Sequence, residues 1–251
     1  MARQIGILKV QGTLDDITFY ESEDGHLVKT KSAISADRIA NDPAFQRTRE
    51  NGDEFGKAGK AGRLIRSSLK ALLQNASDTK LPSRLVQALM EVIKADLTST
   101  RGQRNVIDGE AELLTGFDFN INGPLKSSLY ADYKGSTIDR VTGKLTVIIP
   151  AFVPLNMISA PTGTTHFKLV SAGIEIDFEK ETYVVDTQET AVMPWDRTPT
   201  AVINMVNQVT AASTHPLFLA LGIAYYQEVN GVQYELKSGI YNALAFVKIL
   251  G

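Results

Sequence analysis

The chain opens with short apolar runs separated by polar turns. Ile5 to Val10, Ile17 to Tyr20 and His26 to Lys31 read as strands, divided by "QGTLDD" and "EDG". Asp24-Gly25 suits a tight hairpin, because glycine takes positive φ without steric cost. Three strands this short cannot stand alone in water, so this β-meander is expected to dock on something else, in the same chain or a neighbour. The period then becomes helical. Asn41-Asp42-Pro43 makes a helix start, since a side-chain oxygen caps free N–H groups and proline loses nothing at the first position, and helical spacing runs to about Leu73. A second helix is expected between Ser83 and Leu97, where Leu85, Leu89, Val92, Ile93 and Leu97 share one face.

From about Gly116 the period changes to two. The runs "FDFNI", "KLTVIIP", "HFKLV", "IEIDFE", "TYVVD", "LFLALGIAYYQEV", "VQYEL" and "ALAFVKIL" are strand-like and divided by turn residues. Val229-Asn230-Gly231-Val232 is the strongest hairpin signal, and Val141-Thr142-Gly143-Lys144 a weaker one. In 198–209, Val202, Met205, Val206 and Val209 fit a helical face while the β-branched content favours extended chain. The expected fold class is α+β: an N-terminal β-meander and helical hairpin, then a C-terminal antiparallel β-sandwich of immunoglobulin-like architecture. The polar connector "TSTRGQRN", 98–105, marks the expected boundary between a 1–105 module and a 106–251 domain.

With 251 residues, 43% of them hydrophobic, the chain can build a substantial core. Its 26 basic and 28 acidic residues nearly cancel, so no global field draws it to nucleic acid or an anionic membrane, and an electrostatic partner must be met by a local patch. The lack of cysteine removes disulfides, thiolate metal sites and thiol nucleophiles together. No run of about 18 apolar residues is present, and the first apolar run is too short for a signal-peptide core. The expectation is a cytoplasmic protein without a membrane span; extracellular assembly after lysis or signal-independent release fits the same features.

Motifs for chemistry are lacking. In "GDEFGKA" the glycine spacing is one residue short of a phosphate loop, and Ala58 stands where a metal-binding hydroxyl is needed. His26, His166 and His215 are isolated in sequence, so no metal pair and no cofactor is expected. Glu175, Asp177 and Glu179 alternate with Ile174, Ile176 and Phe178, which places the carboxylates on one strand face. They read as a solvated face or as the paired carboxylates of a glycosidase-like site. Trp195 and Tyr225-Tyr226 likewise read as core or as sugar-stacking platforms.

The stretch "DPAFQRTRENGDEFGKAGKAGRLIRSSLK" carries the most specific pattern. On a helical wheel Phe55, Ala58, Ile65, Leu69 and Leu73 form an apolar stripe, while Gly52, Gly56 and Gly59 share a side with Arg49, Arg63, Arg66 and Lys70. Interior glycines cost up to about 1 kcal/mol each, which calls for a kink, a close backbone approach or a phosphate beside the arginines. Nucleic acid is the less favoured partner, because no aromatic residues interleave for base stacking.

Together with the opening "MARQIGILKVQGTLDDITFY", this stretch resembles a family of uncharacterised bacterial proteins with the same N-terminal arrangement ahead of a variable β-rich half. The resemblance implies a bacterial origin and a shared assembly-like N-terminal module; it brings no activity and no functional residues. The expected function is a non-enzymatic structural subunit, a homo-oligomer or polymer in a filament, tube or phage-like particle. Its interaction surface would combine the glycine and basic helix face with Glu175, Asp177 and Glu179. The alternatives are a module binding an anionic polymer, nucleic acid or glycan, and a carbohydrate-active β-sandwich enzyme.

Overall fold

A computed structural model describes residues 2–30 and 34–251. They fall into two compact units, 1–51 and 52–251. In the first, strands β1 (Ala2–Arg3), β2 (Gly12–Leu14), β3 (Ile17–Ser22) and β4 (Gly25–Thr30) form an antiparallel sheet in the order β1-β4-β3-β2. The Asp24-Gly25 hairpin is present, with Gly25 at φ 98°; Lys31, the expected end of its second strand, lies outside the described residues.

Ile5 to Val10 is not a strand, contrary to its pattern. Strands β1 and β2 occupy opposite edges, so the segment joining them has to cross from one edge of the sheet to the other rather than run alongside a strand. Gln4 closes it instead: its amide donates to the Val10 carbonyl at 3.1 Å and its oxygen accepts from Val10 N at 2.9 Å. Helix α1 (Ala36–Asn41) follows, unforeseen in the sequence, with Ser35 Oγ capping Arg38 N. Asp42 caps a 3₁₀ turn at Pro43–Phe45 through Ala44 N.

Helix α2 (Gln46–Ser68) runs unbroken past all four glycines, which removes the kink from the explanations open to them. Leu69 then separates it from the single turn α3 (Lys70–Leu73), and α4 (Leu81–Lys94) starts with Pro82 in its first turn. Helix α4 buries Leu85, Leu89, Val92 and Ile93 as its periodicity predicts, but it ends at Lys94, so Leu97, expected on the same face, lies beyond the helix and is 94% exposed. Two further one-turn helices, α5 (Leu125–Ser128) and α6 (Pro154–Met157), sit in later loops.

The β-rich half holds β5 (Thr137–Asp139), β6 (Lys144–Ile149), β7 (His166–Asp177), β8 (Thr182–Glu189), β9 (Met193–Pro194), β10 (Ile203–Gln208), β11 (Leu217–Val229), β12 (Val232–Glu235) and β13 (Ala243–Leu250). All pairings are antiparallel. Both expected hairpins form, and Asn230 and Gly231 take φ of 53° and 77° between β11 and β12. Strand β10 shows that β-branched content prevailed over helical spacing in 198–209. "HFKLV" and "IEIDFE" fuse into the single strand β7, and "FDFNI" makes only an isolated bridge, Asp118 to Ala245.

Strand β11 pairs with β7 on one side and with β13 and β12 on the other, and β8 extends the sheet beyond β7. Along β11 the side chains alternate between two cores. Leu217, Leu219, Leu221 and Ile223 pack with Leu145, Val147 and Ile149 of β6 and Ile203 and Met205 of β10. Phe218 and Ala220 pack with Leu85, Leu89 and Ile93 of α4 and Ala58 and Ile65 of α2. This sheet is therefore a middle layer, with helices on one face and the β10-β6-β5 sheet on the other. Burial on both faces explains why "LFLALGIAYY" reads as a near-continuous apolar run rather than a clean alternation.

The fold is thus mixed α and β, with antiparallel sheets, but its strand order does not confirm an immunoglobulin-like sandwich. A sequence period of two reports one covered face and is silent about what covers the other. Nor does the chain divide at 98–105: the helices belong to the same compact unit as the sheet they cover.

Candidate functional site

The glycine face of α2 is open. A Cβ built at Gly52, Gly56 or Gly59 would meet nothing within 4 Å, whereas one at Gly62 would lie 3.3 Å from Leu89 Cδ1 and 3.6 Å from Val86 Cγ2. Close helix approach therefore accounts for Gly62 alone. Gly52 and Gly56 floor a shallow groove of about 440 Å³ whose far wall is Gly102 and Gln103, and a second hollow of about 360 Å³ continues it past Lys57 and Lys60 to Phe178 and Glu181.

The wall is fixed from α2 itself. Glu54, fully buried, accepts from Arg104 Nε and Nη2 at 2.8 Å each and from Gly102 N at 2.7 Å. The Arg104 hydrogen bond foremost holds the Glu54 carboxyl below its ordinary range, against the opposing effect of burial. Lys57 Nζ donates to the carbonyls of Gly102, Gln103 and Arg104 at 3.3, 2.6 and 3.1 Å. Burial pushes the Asp96 carboxyl up, but the N–H and hydroxyl groups of Ser99 and Thr98 prevail and hold it well below the usual range. These anchors were not legible in the sequence: Glu54 sits among Glu50 and Asp53 on a polar face, and its partners lie some fifty positions away.

Of the basic residues, Arg49 belongs to the first unit, where its guanidinium donates to the Ile39 and Asp42 carbonyls at 2.7 and 3.0 Å and ends α1. Arg63 and Lys70 are exposed and Arg66 is half-buried, and among the described residues none of the three has a hydrogen-bond or ion-pair partner.

The acidic triplet does not form one surface. Glu175 and Asp177 are only 6% and 7% exposed, on the β7 face directed at the β10-β6-β5 sheet, while Glu179 lies beyond the strand in solvent. Glu175 accepts from Ser213 Oγ at 2.6 Å and Thr210 N at 3.1 Å. Burial raises its pKa, but these hydrogen bonds prevail and lower it. Asp177 Oδ1 accepts from Glu179 N and Lys180 N, and Oδ2 lies 3.3 Å from Lys180 Nζ and 3.5 Å from His215 Nε2; the Lys180 N–H leads in lowering its pKa. A glycosidase acid needs its pKa raised, so both shifts run opposite to that role. The remaining histidines each face a single carboxylate, His26 by Glu21 and His166 by Glu228, and among the described residues no cluster of three metal-ligating side chains exists.

Trp195 and Tyr225 belong to the core between the sheets, with the Trp195 indole N–H donating to the Ile158 carbonyl. Among the described residues no helix is long and apolar enough to cross a membrane. Comparison with known protein families, curated proteins and solved structures finds no match to this chain.

Proposed function

We propose that this is a non-enzymatic structural protein that self-associates through its N-terminal unit into an oligomer or polymer such as a filament, tube or phage-like particle. One observation carries the reading: among the described residues of 1–51 not one is buried, although the unit contains a four-stranded sheet. Its register puts Leu14, Ile17, Phe19 and Val28 on one face, and the Gln4-closed loop holds Ile5 and Leu8 in solvent at 91% and 87% exposure. An apolar sheet face with no core behind it is an interface in want of a partner. A second copy of the same face supplies one by packing the two sheets about 10 Å apart.

Light scattering and negative-stain microscopy of the full chain test this. Concentration-dependent assemblies are expected, reduced to monomer by Ile17→Ser with Leu14→Ser. A monomer at high concentration with wild-type sequence overturns the reading. A second reading has its own support in the unpartnered Arg63, Arg66 and Lys70, which suit an anionic polymer. It requires affinity that falls steeply with salt and is lost in Arg63→Ala with Arg66→Ala.

A further inference from the structure

A cleft of about 470 Å³ opens on the second unit, remote in sequence from the glycine helix, between three loops: 122–130, 159–162 and 237–241. Its volume lies within the range of about 300–1,000 Å³ that small-molecule sites occupy. What sets it apart from the other hollows is its lining, which holds three tyrosines, three serines, a threonine, an asparagine and a single lysine, without a carboxylate.

The walls are locked to one another. Asn120, fully buried, donates through Nδ2 to the carbonyls of Ile240 and Asn242 at 2.9 and 2.8 Å, tying the first loop to the third. Gly123 brings its backbone so near the third loop that a Cβ would lie 2.5 Å from the Tyr241 carbonyl. The second loop is held to the first by Ser159 N donating to the Ser128 carbonyl at 3.0 Å and by Tyr130 N donating to Met157 at 2.8 Å. At the floor, Tyr225 is buried and its hydroxyl reaches the Ser159 carbonyl at 3.4 Å. Lys237 holds φ 48°, a conformation that side-chain-bearing residues adopt at a cost, and it brings its ammonium 5.1 Å from the Tyr241 ring centre.

Against this rigid frame several polar groups are left uncommitted. Among the described residues, the side chains of Asn122, Tyr130, Ser159, Thr162 and Tyr241 make no hydrogen bond, and Tyr130 is 59% exposed. We infer that this cleft binds a neutral saccharide, whose C–H faces pack on Tyr130 and Tyr241 and whose hydroxyls pair with the surrounding amide and hydroxyl groups. Rings with both an apolar face and a hydroxylated rim match aromatic walls with polar edges. A single lysine, already over a tyrosine ring, argues against a polyanion, which needs a row of cations along its backbone. With no carboxylate in the lining, the cleft has no acid and base for glycoside cleavage, so it retains the sugar intact. Preorganised walls favour this, because little loop ordering remains to be done on binding.

The test uses the full chain against an array of neutral oligosaccharides built from glucose, galactose, mannose and N-acetylglucosamine, followed by calorimetry on the best binder. The expected result is binding that changes less than twofold between 50 and 500 mM salt and weakens at least tenfold in Tyr130→Ala. Tyr130 lies at the surface, so its loss leaves the melting temperature unchanged; Asn122→Ala is the second variant and weakens binding severalfold. Three outcomes overturn the inference: no array saccharide bound, a bound saccharide indifferent to both substitutions, or preferential binding of single-stranded oligonucleotide with steep salt dependence. None of these bears on self-association, which is read by light scattering in the absence of sugar.

Discussion

Replacing Gly52, Gly56 and Gly59 together by alanine separates what the helix needs from what a partner needs. In a helix interior glycine is about 1 kcal/mol less favourable than alanine, and substitutions at compatible sites in proteins return about 0.4–1 kcal/mol. None of the three Cβ atoms would meet a neighbour within 4 Å, so no packing cost offsets the gain. The triple variant is therefore expected to be more stable by about 2 kcal/mol, a rise in Tm of roughly 4–8 °C for a chain of this size. Guanidinium and thermal melts read this directly. Gly62→Ala is the internal contrast: its Cβ would press on Leu89 Cδ1 at 3.3 Å, so its gain is smaller or negative. A triple variant less stable than wild type refutes the claim that this face is open. If the stabilised variant also loses association, the glycines serve a neighbouring subunit; if it is stabilised and associates as before, they have no part in the interface.

Glu54→Gln leaves Arg104 without its carboxylate and is expected to cost about 2 kcal/mol at pH 7, less than the about 3–5 kcal/mol for a fully buried pair because Arg104 reaches solvent. Since the folded Glu54 pKa is depressed, its contribution is full above the unfolded value of about 4.3 and is lost as pH falls through the folded value. The stability gap between the two proteins should then close on acidification below about pH 4, and a gap unchanged at pH 3 counts against the pairing. Gly173→Ala would place a Cβ 2.7 Å from Asn207 Cβ and 3.4 Å from Leu145 Cβ, forcing the two sheets apart at a cost of about 1–3 kcal/mol. Gly135→Ala, with open space around it, serves as the control; equal Tm values for the two would show that the sheets are not in contact there.

What the sequence disclosed follows from the range of the interactions involved. Hairpins at Asn230-Gly231 and Gly143 depend on two or three adjacent residues, and both were legible. The apolar stripe of α4 was legible for the same reason, because its spacing is intrinsic to the helix. The fate of Ile5 to Val10 was not, since its strand pattern is overruled by the placement of β1 and β2 at opposite edges. The acidic triplet misled for a related reason: alternation shows that Glu175 and Asp177 share a face, but only the loop bearing Thr210 and Ser213 makes that face an interior one. The tyrosine cleft is assembled from three loops far apart in the sequence, each unremarkable alone.

The middle layer also has a consequence for the order in which the protein is made. Helices α2 and α4 are complete by Lys94, yet the residues that cover their apolar stripes, Ile174, Ile176, Phe218, Leu244 and Phe246 among them, are added much later. At synthesis rates of about 5–20 residues per second, the helical pair waits on the order of ten seconds for its sheet. Throughout that interval it is a sticky amphipathic hairpin at the ribosome exit, and a message cut short before β7 would release it permanently in that form.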